Sequence, residues 1–292
     1  SRVLVRVGMP FYARTFDELI ARAARLPWDR FVTATTPVAL RVTCRGSRLY
    51  HTDAVAERVL TALGARFGVQ PIVGVFDEDS GGDAQLIVVR LVDDSCTISV
   101  DSSGPHLHRR GYRLATAKAP LRETTAAAMI LAAGWDPATP LIDPFCGSGT
   151  IPIEAALLAS GRWPNAGRAL PLRAWPCAAG VDLSDTPEAP RAAPATPRIV
   201  ASDRDAGGIA AAPANAERAG VSAWIDFRLH SVSDLATPTG LGCIVTNPPY
   251  GQRITGGPDL RNLYARFGDL LRARCAGWTA AVLTSDAALI RQ

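Results

Sequence analysis

The sequence predicts an α/β protein in two parts: an N-terminal α+β domain over residues 1–105, then a mostly parallel, doubly wound open sheet over residues 106–292. Three observations carry this. The first hundred residues hold alternating, β-branched runs separated by two helical patterns. From Pro140 onward, short apolar runs alternate with helical patterns, as repeated βαβ units require. The chain has 292 residues, 48% of them hydrophobic, enough for two buried cores.

In the N-terminal part, Arg2–Gly8, Val38–Thr43, Leu86–Leu91 and Thr97–Val100 read as strands. Thr15–Arg25 reads as a helix, with Thr15 and Glu18 at capping-box spacing. Thr52–Phe67 places Val55, Val59, Leu60 and Leu63 on one helical face. Residues 77–84 form a loop, and the polar, basic stretch 103–120 reads as a connector carrying His106, His108, Arg109, Arg110, Tyr112 and Arg113. A helix follows from Leu121 to Gly134. The strands of the second part are then PLIDPF, PRIVASD, WIDFRLH, LGCIVTNPPY and GWTAAVLTSD. The helices between them are GTIPIEAALLASG, AGGIAAAPANAERAG and DLRNLYARFGDLLRARC. Pro213 should kink or delay the second of these. Residues 161–198, rich in Pro, Ala and Arg, read as an irregular insertion.

Composition narrows the function classes. No run of eighteen apolar residues and no signal-peptide pattern is present. The six cysteines are scattered without a C-x-x-C pair, which points to reduced thiols in a cytoplasmic protein and to no zinc site. His106 and His108 lack further ligands at metal-binding spacing, so no metal is expected. The net charge of +4 is compatible with nucleic acid. Lys118 is the only lysine; the remaining cations are arginines, whose planar fork suits phosphate, although a codon bias toward arginine explains them equally well.

Open parallel sheets bind ligands beyond the carboxyl ends of their strands, where strand order reverses. The first such loop is DPFCGSGT, residues 143–150. Gly147 and Gly149 permit a tight turn and close approach of a ligand to bare backbone. No lysine follows, and Pro152 stands where a dinucleotide fingerprint has its third glycine, so neither a P-loop nor that fingerprint fits. An acid at the strand end followed by Gly-x-Gly fits S-adenosylmethionine, whose cationic centres favour the Asp143 carboxylate. In the second loop, Asp203 lies where an acid accepts both ribose hydroxyls; helix capping by Asp203 or Asp205 is the other reading. The third loop is Asn247-Pro248-Pro249-Tyr250. The prolines fix φ and remove two amide donors. They leave the Asn247 side chain and the Pro248 carbonyl as fixed acceptors for the two hydrogens of an aromatic amine, with Tyr250 stacked on the base. By itself the tetrapeptide is also an ordinary turn.

The stretches APLRETTAAAMILAAGWDPATPLIDPFCGSGTIPIEAALLA and VTNPPYGQRI closely resemble the THUMP-domain methyltransferases, notably the bacterial 23S rRNA guanine-N2 enzymes. DSSGPHLHRRGYR resembles that family's connector. The resemblance implies a THUMP-type RNA-binding module, a Rossmann-like class I methyltransferase domain, S-adenosylmethionine as cofactor and structured RNA as partner. It implies transfer to guanine N2 in 23S rRNA, with tRNA guanine, adenine N6 or a catalytically lost RNA-binding protein as alternatives. By position, Asp143, Phe145, Gly147 and Gly149 match the cofactor loop, Thr124 the methionine end and Asp203 the ribose acid. Asn247, Pro248 and Tyr250 match the base clamp. The family's adenine-contacting aspartate is missing after the third strand; Ser231 stands there, with Asp234 three residues on. Family members also continue past Gln292, so the chain is expected to be part of a longer protein.

Overall fold

The computed structural model describes residues 2–78, 81–113, 121–163, 168–182, 191–194, 198–236, 240–249, 257–284, 286 and 289. The chain divides into two compact units, one of Ser1–Arg109 with Gly167–Asp185, the other of Arg110–Ala166 with Thr186–Gln292.

The first unit is a sheet of β1 (Leu4–Arg6), β2 (Phe11–Tyr12), β3 (Val38–Arg45), β4 (Gln85–Val92) and β5 (Ser95–Asp101). The order is β1-β5-β4-β3, with β2 also on β5. β3 and β4 are parallel and the other pairs antiparallel. β4 and β5 are joined through Asp93 and Asp94, both with positive φ, as a two-residue hairpin turn requires. Two helices, α1 (Phe16–Ala24) and α2 (Thr52–Phe67), are amphipathic and cover one face. Leu19, Val55, Val59 and Leu63 pack against Ile87, Val89, Ile98 and Val100 of the strands. The cap at Thr15 forms, accepting the Glu18 N–H at 3.2 Å, while the Glu18 carboxylate accepts from Arg14 N rather than Thr15 N.

Residues 168–182 of the expected insertion belong to this first unit. Two short 3-10 turns, Pro171–Ala174 and Pro176–Ala178, flank Trp175. Its indole is 7% exposed, meets Phe31 edge-on at 5.0 Å and donates to Gln85 Oε1 at 2.7 Å.

The second unit carries β6 (Leu141–Asp143), β7 (Ile199–Asp203), β8 (Ile225–Leu229), β9 (Cys243–Thr246) and β10 (Thr279–Val282). All are parallel, in the order β10-β9-β6-β7-β8. Alternation decides which face each residue serves. Leu141, Ile199, Ala201, Cys243 and Val245 pack with α3 (Glu123–Ala132), α4 (Thr150–Ala159) and α5 (Ala206–Arg218). Ile142, Val200 and Ile244 point the other way, against Phe267 and Leu270 of α6 (Gly257–Arg274). Both faces are covered, which is why these strands read as unbroken apolar runs. α5 begins at once after its N-cap Asp205 and runs through Pro213 as one element, so no delay occurs. Chain order reverses between β6 and β9, and the ends of those two strands build the site.

Candidate methyltransferase site

Asp143 closes β6 and is 1% exposed. It accepts a 2.6 Å hydrogen bond from Thr246 Oγ1, at the end of neighbouring β9, and one from the Phe145 N–H at 3.2 Å. Burial pushes its carboxyl up to about 7; the two hydrogen bonds pull it down and the nearby charge of Asp203 adds to the rise. A cation placed here would restore the ionised form.

The loop that follows is shaped by backbone that only glycine adopts readily. Gly147 has φ 50° and Gly149 φ 86°. A Cβ on Gly149 would lie 3.1 Å from that of Ala212, whereas one on Gly147 would meet nothing within 4 Å. Gly149 is therefore needed for close packing on α5, and Gly147 leaves open room over the loop. α4 starts at Thr150 with no side chain capping it, so the Thr150 and Ile151 amides remain donors, while Pro152 has none. Phe145 is held edge-on against Phe267 at 5.4 Å.

The two readings of the second loop separate. Asp205 is the N-cap of α5, accepting from Gly207 N at 3.1 Å. Asp203 instead reaches the cofactor-type loop, accepting the Gly147 N–H on Oδ2 at 2.8 Å and the Asp205 N–H on Oδ1 at 2.9 Å. Each oxygen keeps a further lone pair.

Ser231 stands two residues past β8 and caps a short 3-10 turn, accepting from Ser233 N at 3.4 Å. The preceding His230 N–H donates to the Asp203 carbonyl at 3.1 Å, which keeps this strand end beside β7. Asp234 is exposed at the far end of the turn, and Ser231 is half-buried. Thr124 is half-buried in the first turn of α3.

At the end of β9, Asn247 is half-buried and Pro248 buried. The Asn247 side-chain oxygen is buried without a hydrogen-bond partner among the described residues. A buried acceptor without a donor costs about 1–3 kcal/mol, a cost that a donor placed against it would offset. Tyr250 lies outside the described residues, as do Gln252 and Arg253.

Sequence reasoning overlooked three participants. Thr246 reads as the last apolar-strand residue, yet its hydroxyl holds Asp143. Asn215, fully buried inside α5, donates to the Ser148 carbonyl at 3.0 Å and pins the loop. Phe267 supports Phe145. An asparagine on the apolar face of a helix is the one local signal available.

In the connector, Arg110 and Arg113 are both paired. They face acids in the interior, not solvent. Arg110 forks onto Glu154 of α4 at 3.1 and 3.0 Å, with side chains 7% and 2% exposed. Tyr112 Oη donates to the same carboxylate at 3.0 Å. Arg113 pairs with Glu123 at 3.0 Å. Among the described residues, no three His, Cys, Asp or Glu side chains group to hold a metal, and no helix is long and apolar enough to cross a membrane.

The five-stranded parallel sheet, its glycine turn and the acids at the strand ends define a Rossmann-like fold built to seat a nucleoside-bearing cofactor at its switch point. The chain belongs to the RMKL-like methyltransferase domain family (UPF0020), matched over residues 110–291, with a THUMP domain matched over residues 13–101. It is 37% identical over 317 aligned residues to the ribosomal RNA large subunit methyltransferase K/L of Syntrophotalea carbinolica, covering 100% of this chain and 43% of that protein. The K/L methyltransferase of Shewanella sp. MR-4 gives 37% identity, covering 99% and 42%. The chain thus spans less than half the length of these relatives. Among solved structures, a protein from Listeria monocytogenes described as a predicted N6-adenine-specific DNA methylase matches at 32% identity and TM-score 0.76, covering 99% of this chain and 76% of that one. SMU.472, solved in complex with S-adenosylhomocysteine (SAH), matches at 25% identity and TM-score 0.79, covering 99% and 77%.

Proposed function

We propose that the protein transfers a methyl group to the exocyclic N2 of guanine in RNA, with 23S rRNA as the substrate. S-adenosylmethionine is the cofactor, and when bound it supplies the methyl group. The residues present fit it: Gly147 leaves room over the loop, Asp143 offers a buried anionic partner to a cation, and Asp203 has spare lone pairs for ribose hydroxyls. Thr124 and Phe145 flank the methionine portion, Gly149 shapes the turn, and Ser231 faces the adenine.

The observation that carries the reading is the buried, unpartnered oxygen of Asn247. Together with the Pro248 carbonyl it grips both hydrogens of an aromatic amine, and Tyr250 stacks on the ring. Holding both hydrogens favours a pyramidal nitrogen with its lone pair free to attack. Such preorganised acceptors act in the transition state without reorganising. The target base must leave its stack to reach them. We assign residues 1–105 to holding structured RNA by shape and phosphate contacts, and residues 106–292 to catalysis, in the cytoplasm.

Large-subunit rRNA is favoured as substrate by the K/L relatives, and guanine over adenine by the family resemblance of the connector and of the helix that carries Thr124. The test is nucleoside mass spectrometry of RNA incubated with enzyme and S-adenosylmethionine. N2-methylguanosine is expected. N6-methyladenosine, or methylation of DNA but not RNA, would overturn the substrate while leaving the amine clamp standing.

A further inference from the structure

We propose that Arg113 is a positioning residue for the cofactor: its one guanidinium ties the start of α4, which follows the Gly147–Gly149 loop, to the start of α3, which packs on α4. The inference rests on that loop being the cofactor seat.

The geometry is convergent. Arg113 Nη1 donates to the Leu121 carbonyl at 3.0 Å, just ahead of α3, and to Thr150 Oγ1 at 3.2 Å, the first residue of α4. Nη2 pairs with Oε1 of Glu123, the first residue of α3, at 3.0 Å. The arginine and glutamate side chains are 10% and 5% exposed. Thr150 and Glu154 are four residues apart and share a face of α4. Arg113 holds the first, while Arg110 and Tyr112 hold the second.

The loop needs such support. With glycine at two of its positions it has little conformational preference of its own, and α4 has no capping side chain. Its shape is imposed from outside at three points. Asp203 holds the Gly147 amide, Asn215 holds the Ser148 carbonyl, and Arg113 holds the Thr150 hydroxyl. A buried ion pair adds little net stability, because desolvation offsets the Coulomb gain. What this one supplies is geometry. Lysine cannot replace it, because a single ammonium lacks the planar fork that spans acceptors on two helices.

The test is calorimetric titration of SAH into the wild-type protein, Arg113→Lys, Thr150→Val and the double variant, at a temperature where circular dichroism shows each folded. Each single substitution is expected to weaken SAH binding about tenfold, the scale of one charge-assisted hydrogen bond. The double variant should bind no more weakly than Arg113→Lys, since Thr150 acts through Arg113. A purely structural arginine would lower the melting temperature and leave SAH affinity of the folded variants unchanged, which overturns the proposal. If Arg113→Lys does not fold, Thr150→Val, which keeps the side-chain shape, decides alone. A wild-type protein that fails to bind SAH would remove the cofactor seat itself; normal wild-type binding with unaffected variants would remove only the role of Arg113.

Discussion

Thr246 and Asp143 are joined by a 2.6 Å hydrogen bond across the point where strand order reverses. Thr246 directly precedes Asn247, and Asp143 opens the loop 143–150 that carries Gly147 and Gly149. The bond therefore ties the end of β9 to the end of β6. It also lowers the carboxyl of Asp143 against a burial effect that raises it to about 7.

This pair should make cofactor binding pH-dependent. A cationic ligand favours the ionised carboxyl, so affinity should rise with pH up to about 7 and flatten above it. Below that point the gain is up to about tenfold per pH unit, with a proton released on binding. Stability of the ligand-free protein has the opposite sign. The folded state holds the proton more tightly than the unfolded one, so this contribution is full below 3.8 and is lost as pH rises through about 7. Thr246→Val should move the affinity midpoint upward. Titration of SAH at several pH values checks the first and the last, and thermal melts of the ligand-free protein across the same pH range check the second; a midpoint that stays put in Thr246→Val would sink the coupling.

Asn247→Ala should lower turnover by about two to three orders of magnitude, as loss of a preorganised polar group does. SAH affinity should hardly change, because the unpartnered oxygen is assigned to the base. Loss of SAH binding in a folded variant would contradict that assignment.

Asp203→Ala should weaken SAH binding, since it frees the Gly147 amide and removes acceptors for the ribose. Asp205→Ala removes a helix cap and should cost about 1 kcal/mol of stability with affinity retained. The reverse pattern in calorimetry and thermal melts would mean the two carboxylates have been exchanged.

Arg110→Ala should destabilise the fold by about 3–5 kcal/mol, because Glu154 would be left buried without its cation. The slope of log RNA affinity against log salt should not change, since a paired interior arginine releases no counterions. A flatter slope in the folded variant would place Arg110 on the RNA after all.

Much of this was legible in the sequence, and the exceptions have a common cause. Cys243–Thr246 and Ile199–Asp203 are recognisable because a strand covered on both faces is apolar throughout. The glycine loop and Asn247-Pro248-Pro249 are recognisable because their backbone demands particular residues. Trp175 gave no such signal: it sits in a Pro- and Ala-rich stretch and is buried by Phe31 and Gln85, far away in sequence. The acid partners of Arg110 and Arg113 were not legible, because charge is visible in a sequence and its partner is not. Thr246 was passed over for the same reason.

Ser231 offers the sharpest test of the family comparison. The expected aspartate contacts the adenine amino group, and the serine in its place is half-buried at the end of β8, beside the strand end that carries Asp203. Its hydroxyl is only weakly engaged, by the Ser233 amide at 3.4 Å. Asp234 is exposed at the other end of the turn, a poor position from which to replace a buried carboxylate. Aspartate is as good a cap as serine, so Ser231→Asp should leave the turn and the melting temperature intact. It should add a charged acceptor for the adenine amine and tighten SAH binding by about tenfold, the value of one hydrogen bond to a charged group. Asp234→Ala, made alongside, should change nothing. Unchanged affinity in Ser231→Asp, with loss in Asp234→Ala, would show that the contact has moved to Asp234.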